Sequence, residues 1–213
     1  MSQPELKTED AGSSLKESRA TRDILSKDRV GFINRIGPTI ACQMTNALRE
    51  LTAEKIQVKF GGVQTFEEGK VVVDAGEKCF GSFVNFSCPE TELEGVVVIF
   101  FPLSSAEVMT GLLLKRYLGK GGTEKIDSTM KLSAFKEATH ILLANYIAVI
   151  ANALKVKLQI GMPEFVRFRN FEFLKPVFSG SHSGTDSSPC IGQFGITGHD
   201  ESAVIKGLFI SAF

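Results

Sequence analysis

Ser133, Glu137 and His140 stand at i, i+4 and i+7 within a stretch whose apolar residues recur at helical spacing. A hydroxyl, a carboxylate and an imidazole therefore fall on one helix face. A carboxylate held on a rigid element can anchor a cation. A neutral imidazole has one acceptor and one donor nitrogen, so it can orient a water molecule, or act as a weak general base near neutral pH. Ala144, Ala148 and Ala151 continue the stripe with small side chains, which leaves room for another surface to lie along it. A solvated helix face has the same periodicity, and the residues alone leave both readings open.

Other constellations carry less. Gly180-Ser181-His182-Ser183-Gly184 and His199-Asp200 hold the residue types of a hydrolase triad but sit among turn formers, with no strand-to-helix elbow. The glycines of GKGGTEK at 119–125 do not match the spacing of a phosphate loop. Three histidines far apart, and Cys42, Cys79, Cys88 and Cys190 without a CxxC pair, argue against a metal site and for cysteines used as small buried or half-buried hydrophobes. Lys115, Arg116, Lys120, Lys125, Lys131 and Lys136 against Glu124 and Asp127 make the connector mildly basic, suited to an acidic partner or simply to solvent.

The elements that must position the stripe follow from pattern. Residues 1–22 are Ser-, Glu- and Lys-rich and read as a disordered tail ahead of one domain at 23–213. Helical spacing runs from Ile24 to Leu51, interrupted at Gly37-Pro38, where proline predicts a kink or a new helix start. Strands are expected at Lys55–Phe60, Lys70–Asp74, Cys79–Phe86 and Leu93–Phe101. A helix capped by Ser104 or Ser105 should follow, with Val108, Leu112 and Leu113 inward and its end at Gly119. The helix bearing the stripe runs from about Thr129 to Leu154, its core face formed by Phe135, Ala138, Leu142, Tyr146, Val149 and Ala153. Strands at Lys155–Ile160, Phe165–Phe173, Cys190–Ile196 and Ala203–Phe213 complete the chain, with a Ser/Gly-rich loop at 179–188.

Two echoes recur in the same order. Asn46-Ala47-Leu48 before KIQVKF matches Asn152-Ala153-Leu154 before KVKLQI, and Leu93-Glu94-Gly95-Val96 matches Ile205-Lys206-Gly207-Leu208. The chain thus reads as an α/β protein of the α+β type, a pseudo-two-fold duplication with halves at about 28–120 and 128–213, long helices lying on a mostly antiparallel sheet. Equal numbers of basic and acidic residues, 24 and 24, argue against nucleic-acid binding. The apolar run Ile141–Leu154 is too short to span a bilayer, and MSQPELKTED has no secretory apolar core, so a cytoplasmic location is expected.

Ser133-x3-Glu137-x2-His140, with Pro163 twenty-three positions after His140, resembles the signature of the CheC/CheX/FliY family of chemotaxis phosphatases. That signature is Asp or Ser, three residues, Glu, two residues, Asn, then a distant Pro. Lys136-Glu137-Ala138-Thr139-His140-Ile141-Leu142 with Tyr146 is similar to the family's second signature helix, and Arg35-Ile36-Gly37-Pro38 through Leu48 to its first. The resemblance implies a CheC-like fold and hydrolysis of the aspartyl phosphate of a CheY-type response regulator. Glu137 would dock on a regulator lysine, and His140, in place of the usual Asn, would orient the attacking water. Ser133, Ala144 and Pro163 would belong to the partner interface. No cofactor of its own is implied, since Mg²⁺ sits on the regulator. A CheD-like protein is a further partner of such domains, and monomer and homodimer both stay open. The alternative is a non-catalytic regulator-binding or flagellar-switch-like module. On the first helix Gly31, Arg35 and Pro38 replace the signature residues, which implies a dead site there.

Overall fold

The computed structural model describes residues 28–65, 78–91, 93–118, 127–168, 190–197 and 204–212. The expected tail, the strand at 70–74, the connector glycines, the 179–188 loop and His199 lie outside them. Helix α1 spans Arg29–Thr52. Asp28 caps it by accepting the Gly31 N–H at 2.9 Å, and Ala53 ends it in the left-handed conformation at φ 57°. Strands β1 (Gln57–Thr65), β2 (Cys79–Cys88) and β3 (Leu93–Pro102) lead into α2 (Leu103–Leu118). Then α3 (Ser128–Leu154), β4 (Gln159–Ile160), β5 (Glu164–Phe168), β6 (Cys190–Thr197) and β7 (Val204–Ala212) follow.

Among the described residues every strand pairing is antiparallel. The order is β1-β6-β7-β3-β2-β4, with β5 also on β2. Exchanging β1 with β4–β5, β2 with β6 and β3 with β7 returns this order read backwards. The duplication is therefore a pseudo-two-fold of the sheet, its axis between β3 and β7. Register repeats it: Gly95 lies opposite Phe86 on β2, and Gly207 lies opposite Phe194 on β6. Phe86 and Phe194 are both buried.

The core forms where α1 and α3 lie on this sheet. Ile33, Ile40, Met44 and Leu48 of α1 and Leu142, Tyr146 and Ile150 of α3 meet Val97, Ile99 and Phe101 of β3. Val96 to Phe101 are all fully buried, as a strand covered on both faces requires, which explains their unbroken apolar run. By length and composition α3 could cross a bilayer, but half of its apolar window is buried inside the fold, as in a core helix.

Several expectations change. Of the two outcomes expected at Gly37-Pro38, a new helix start does not occur. Pro38 is exposed within one continuous helix, so the carbonyl it leaves unpaired can meet water. Gly37 is buried against β1, where an added Cβ would clash with the Phe60 ring. α2 starts at Leu103, whose N–H donates to the Lys78 carbonyl at 2.8 Å, so Ser104 and Ser105 lie inside the helix. Its inward face is Ala106, Met109, Thr110 and Leu113, while Val108 is exposed. Leu154 is followed not by a strand but by a Schellman turn, in which Lys155 N–H donates to Asn152 O and Val156 N–H to Ala151 O. Only Gln159–Ile160 of that segment pairs. Cys42 is exposed, unlike Cys79, Cys88 and Cys190. Burial pushes the Cys190 thiol up, with Arg29 nearby opposing it.

Gly37→Ala should lower stability although alanine favours helices. The propensity gain of about 1 kcal/mol is smaller than the 1–3 kcal/mol of overpacking, because Phe60 is held against Phe194 at 5.3 Å between centroids. A fall in melting temperature of roughly 2–4 °C is expected by calorimetry. Native-state alkylation followed by mass spectrometry should label Cys42 alone of these four cysteines, with the other three reacting only on unfolding.

Candidate functional site

Three residues position the stripe. Asp127 caps α3 by accepting the Met130 N–H at 2.7 Å, which sets the first turn. Phe135 packs edge-on against Phe101 and Phe80, with centroids 5.7 and 6.0 Å apart. Tyr146, fully buried, holds the middle of the helix on the sheet. With the rotation of α3 fixed in this way, Ser133, Glu137 and His140 are all exposed on its outer face. Neighbours at i and i+3 lie about 5–6 Å apart at Cβ, so the carboxylate and the imidazole form one working edge. Among the described residues neither has a salt-bridge or hydrogen-bond partner.

Ala144 is half-buried, Ala148 exposed and Ala151 half-buried, so the small-residue stripe continues along the same face. Ala153, placed by periodicity in the core, is exposed in the last turn. Leu143, Ile147 and Ile150 are buried instead. The buried arc is wide because α3 touches α1 and α2 as well as the sheet. Pro163 is half-buried on a different element, the segment between β4 and β5 at the sheet edge. Two residues on, Phe165 packs against Phe135 at 5.8 Å, and Lys136 Nζ lies 5.4 Å over its ring. The edge segment thus runs beside the turn that carries Glu137. Met162 in that segment is 89% exposed.

The pseudo-symmetric face on α1 differs in sign. Arg35 and Pro38 are exposed where α3 has Glu137 and His140. Gly31 packs beneath the Asp28 carboxylate that caps the helix. The Arg35–Asp28 approach of 4.0 Å joins two groups that are each 63% exposed, too solvated to matter much. Of the basic residues near the connector, Lys115 is held by Glu54 at 2.9 Å and Lys136 covers Phe165, while Lys131 is exposed.

Two features had no signal in the sequence. A cleft of about 380 Å³ between α1 and α3 is lined by Gln43, Asn46, Glu50, Arg116, Ile141 and Asn145. Beside it, a groove of about 310 Å³ is bordered by Ser133 and Glu137 and floored by leucines of α1 and α2. Each is built from three helices, so no single periodic pattern marks it.

A long helix laid on an antiparallel sheet, twice over and about a pseudo-two-fold, defines a duplicated α+β domain. Solved structures share that architecture with this chain. Thermotoga maritima FliY superposes with a TM-score of 0.64 at 16% identity, over 86% of this chain and 89% of its own. The chemotaxis protein CheX from Desulfovibrio desulfuricans gives 0.53 at 14% identity, over 83% and 97%. The FliM middle domain from Helicobacter pylori gives 0.53 at 12% identity, over 87% and 91%. No protein-family model matches the sequence, and no curated protein does. The protein has the fold of the CheC/CheX/FliY chemotaxis proteins, as the signature residues implied.

Because Glu137 and His140 face solvent, Glu137→Ala and His140→Ala should each change unfolding free energy by no more than about 0.5 kcal/mol. Leu142→Ala, on the opposite face, should cost about 2–5 kcal/mol. Denaturant melts of the three variants test the assignment of the two faces.

Proposed function

We propose that this protein is a CheC-like phosphatase that removes the phosphoryl group from the aspartate of a CheY-type response regulator, in the cytoplasm where such regulators work. The observation that carries this reading is the unpartnered Glu137–His140 edge, exposed on a helix whose other side is locked into the core. The regulator brings the acyl phosphate and its own Mg²⁺, which spreads the charge developing on the phosphoryl oxygens. This chain then has only to dock and place a water in line. Glu137 meets a regulator lysine and sets the register, with Ser133, Ala144 and Pro163 along the contact. The acceptor nitrogen of His140 takes a hydrogen bond from the attacking water and aims its oxygen at phosphorus. As the new P–O bond forms, the aspartyl carboxylate leaves with the electron pair of the old one, and inorganic phosphate departs. Positioning is the whole contribution, and a displacement of about 1 Å costs on the order of a hundredfold in rate.

A second reading draws on the FliM middle domains, which have the same fold. A module that binds the phosphorylated regulator, or a CheD-like protein, without turnover would need the docking face and not the water-orienting group. With Arg35 and Pro38 on α1, only the α3 face is offered in either case.

The phosphoryl-aspartate lifetime of the cognate regulator decides between them. It should shorten when the protein is added, and His140→Ala should slow that loss about a hundredfold or more at saturation. His140→Asn should retain activity, since an amide also orients water, while Glu137→Lys should abolish docking. Binding with an unchanged lifetime would establish the module instead. A His140→Ala protein as fast as the parent would remove the imidazole from the mechanism.

A further inference from the structure

The groove beside Glu137 raises the question of what a single exposed carboxylate can hold. One solvated ion pair changes affinity by less than about tenfold, too little to define the position of a partner to within an ångström. The groove is continuous with the Glu137–His140 face, because Ser133 and Glu137 form its border. Leu51 comes from the end of α1, Leu113 and Leu118 from α2, and Met130 and Ala134 from α3. Met130 is 39% exposed and Leu118 half-buried, so apolar surface stays accessible right up to the carboxylate. Among the described residues Glu137 is the one charged residue lining the groove. No cation of that described lining answers it.

We infer that this groove seats an apolar side chain of the response regulator, next to the lysine that Glu137 meets, so that docking is a two-point contact. This rests on the regulator-directed reading above. The charge pattern selects the occupant: a partner segment carrying a cation beside a branched or aromatic side chain satisfies both the lone carboxylate and the apolar floor. A volume of about 310 Å³ suits one such side chain, at the lower end of ligand-sized pockets. Seating it excludes water around Glu137, and the ion pair strengthens as its surroundings become less polar. The apolar anchor holds the regulator, and the carboxylate sets its orientation. His140, one helical turn on, is thereby brought to a fixed place over the phosphoryl group.

Binding of the full chain to cognate regulator activated with beryllofluoride and Mg²⁺ provides the test. Ala134→Trp fills the groove from its half-buried rim, and Met130→Ser removes an accessible apolar wall without reaching the core. Each should weaken binding at least tenfold, about equally at low and high salt. Glu137→Gln should also weaken binding, chiefly at low salt. If both groove variants bind within twofold of the parent while Glu137→Gln does not, the groove assignment fails and the regulator reading stands. If all three bind like the parent, both fail. If the groove variants alter only self-association of the free chain by sedimentation, the groove belongs to a second copy and the inference is overturned.

Discussion

The structure depends on how α3 is held. Its buried arc includes Phe135, Leu142, Leu143, Tyr146, Ile147 and Ile150, and the helix packs on β2 and β3 and on both other helices. A helix gripped on so wide a face cannot rotate without exposing a fully buried tyrosine and several leucines and isoleucines. Each such side chain is worth about 1.5–3 kcal/mol of burial. The rotation of α3 is therefore set by the core. That same rotation presents Ser133, Glu137 and His140 to solvent as a unit. Rigid support matters here because the proposed chemistry is positional, and a site on a packed helix is placed more accurately than one on a loop.

The duplicated scaffold would support two such faces, and the proposed chemistry needs one. On α1 the equivalent positions carry Arg35 and Pro38, opposite in charge and unable to orient water through an amide or imidazole. The α1 helix nevertheless keeps its structural role. Gly37 lets it approach β1 closely enough to touch Phe60, and Pro38 sits on the outer face, where losing a backbone donor costs least. A pseudo-symmetric core permits the two outer faces to differ, because packing on the inner face places no demand on the outer residues.

The sequence patterns failed in places that share a cause. Gly37-Pro38 allowed a new helix start because proline disfavours helix interiors locally, but tertiary burial of Ile33, Ile40 and Met44 on both sides of it holds the helix continuous. On α2 Leu113 is buried and Leu112 half-buried as expected, but Val108 is exposed and Ala106 and Met109 complete the buried stripe. Pro102 ends β3 directly before Leu103, so the helix starts without the serine cap that its sequence suggested. Lys155–Leu158 alternates like a strand, yet the Schellman turn at Lys155 takes up its backbone groups first.

By itself the amino-acid order determined the long helices, the strands of β character, the two-fold repetition and the outward face shared by Ser133, Glu137 and His140. These are all properties of spacing within one segment, which the 3.6-residue and two-residue periods expose. Only the tertiary structure decided that Leu51, Leu113 and Met130 meet around an apolar groove at the edge of that face, and that the segment bearing Pro163 runs beside it. Those residues lie far apart in the chain. Their meeting is set by how three helices and an edge strand pack on one sheet, and no local pattern encodes the space left between packed elements.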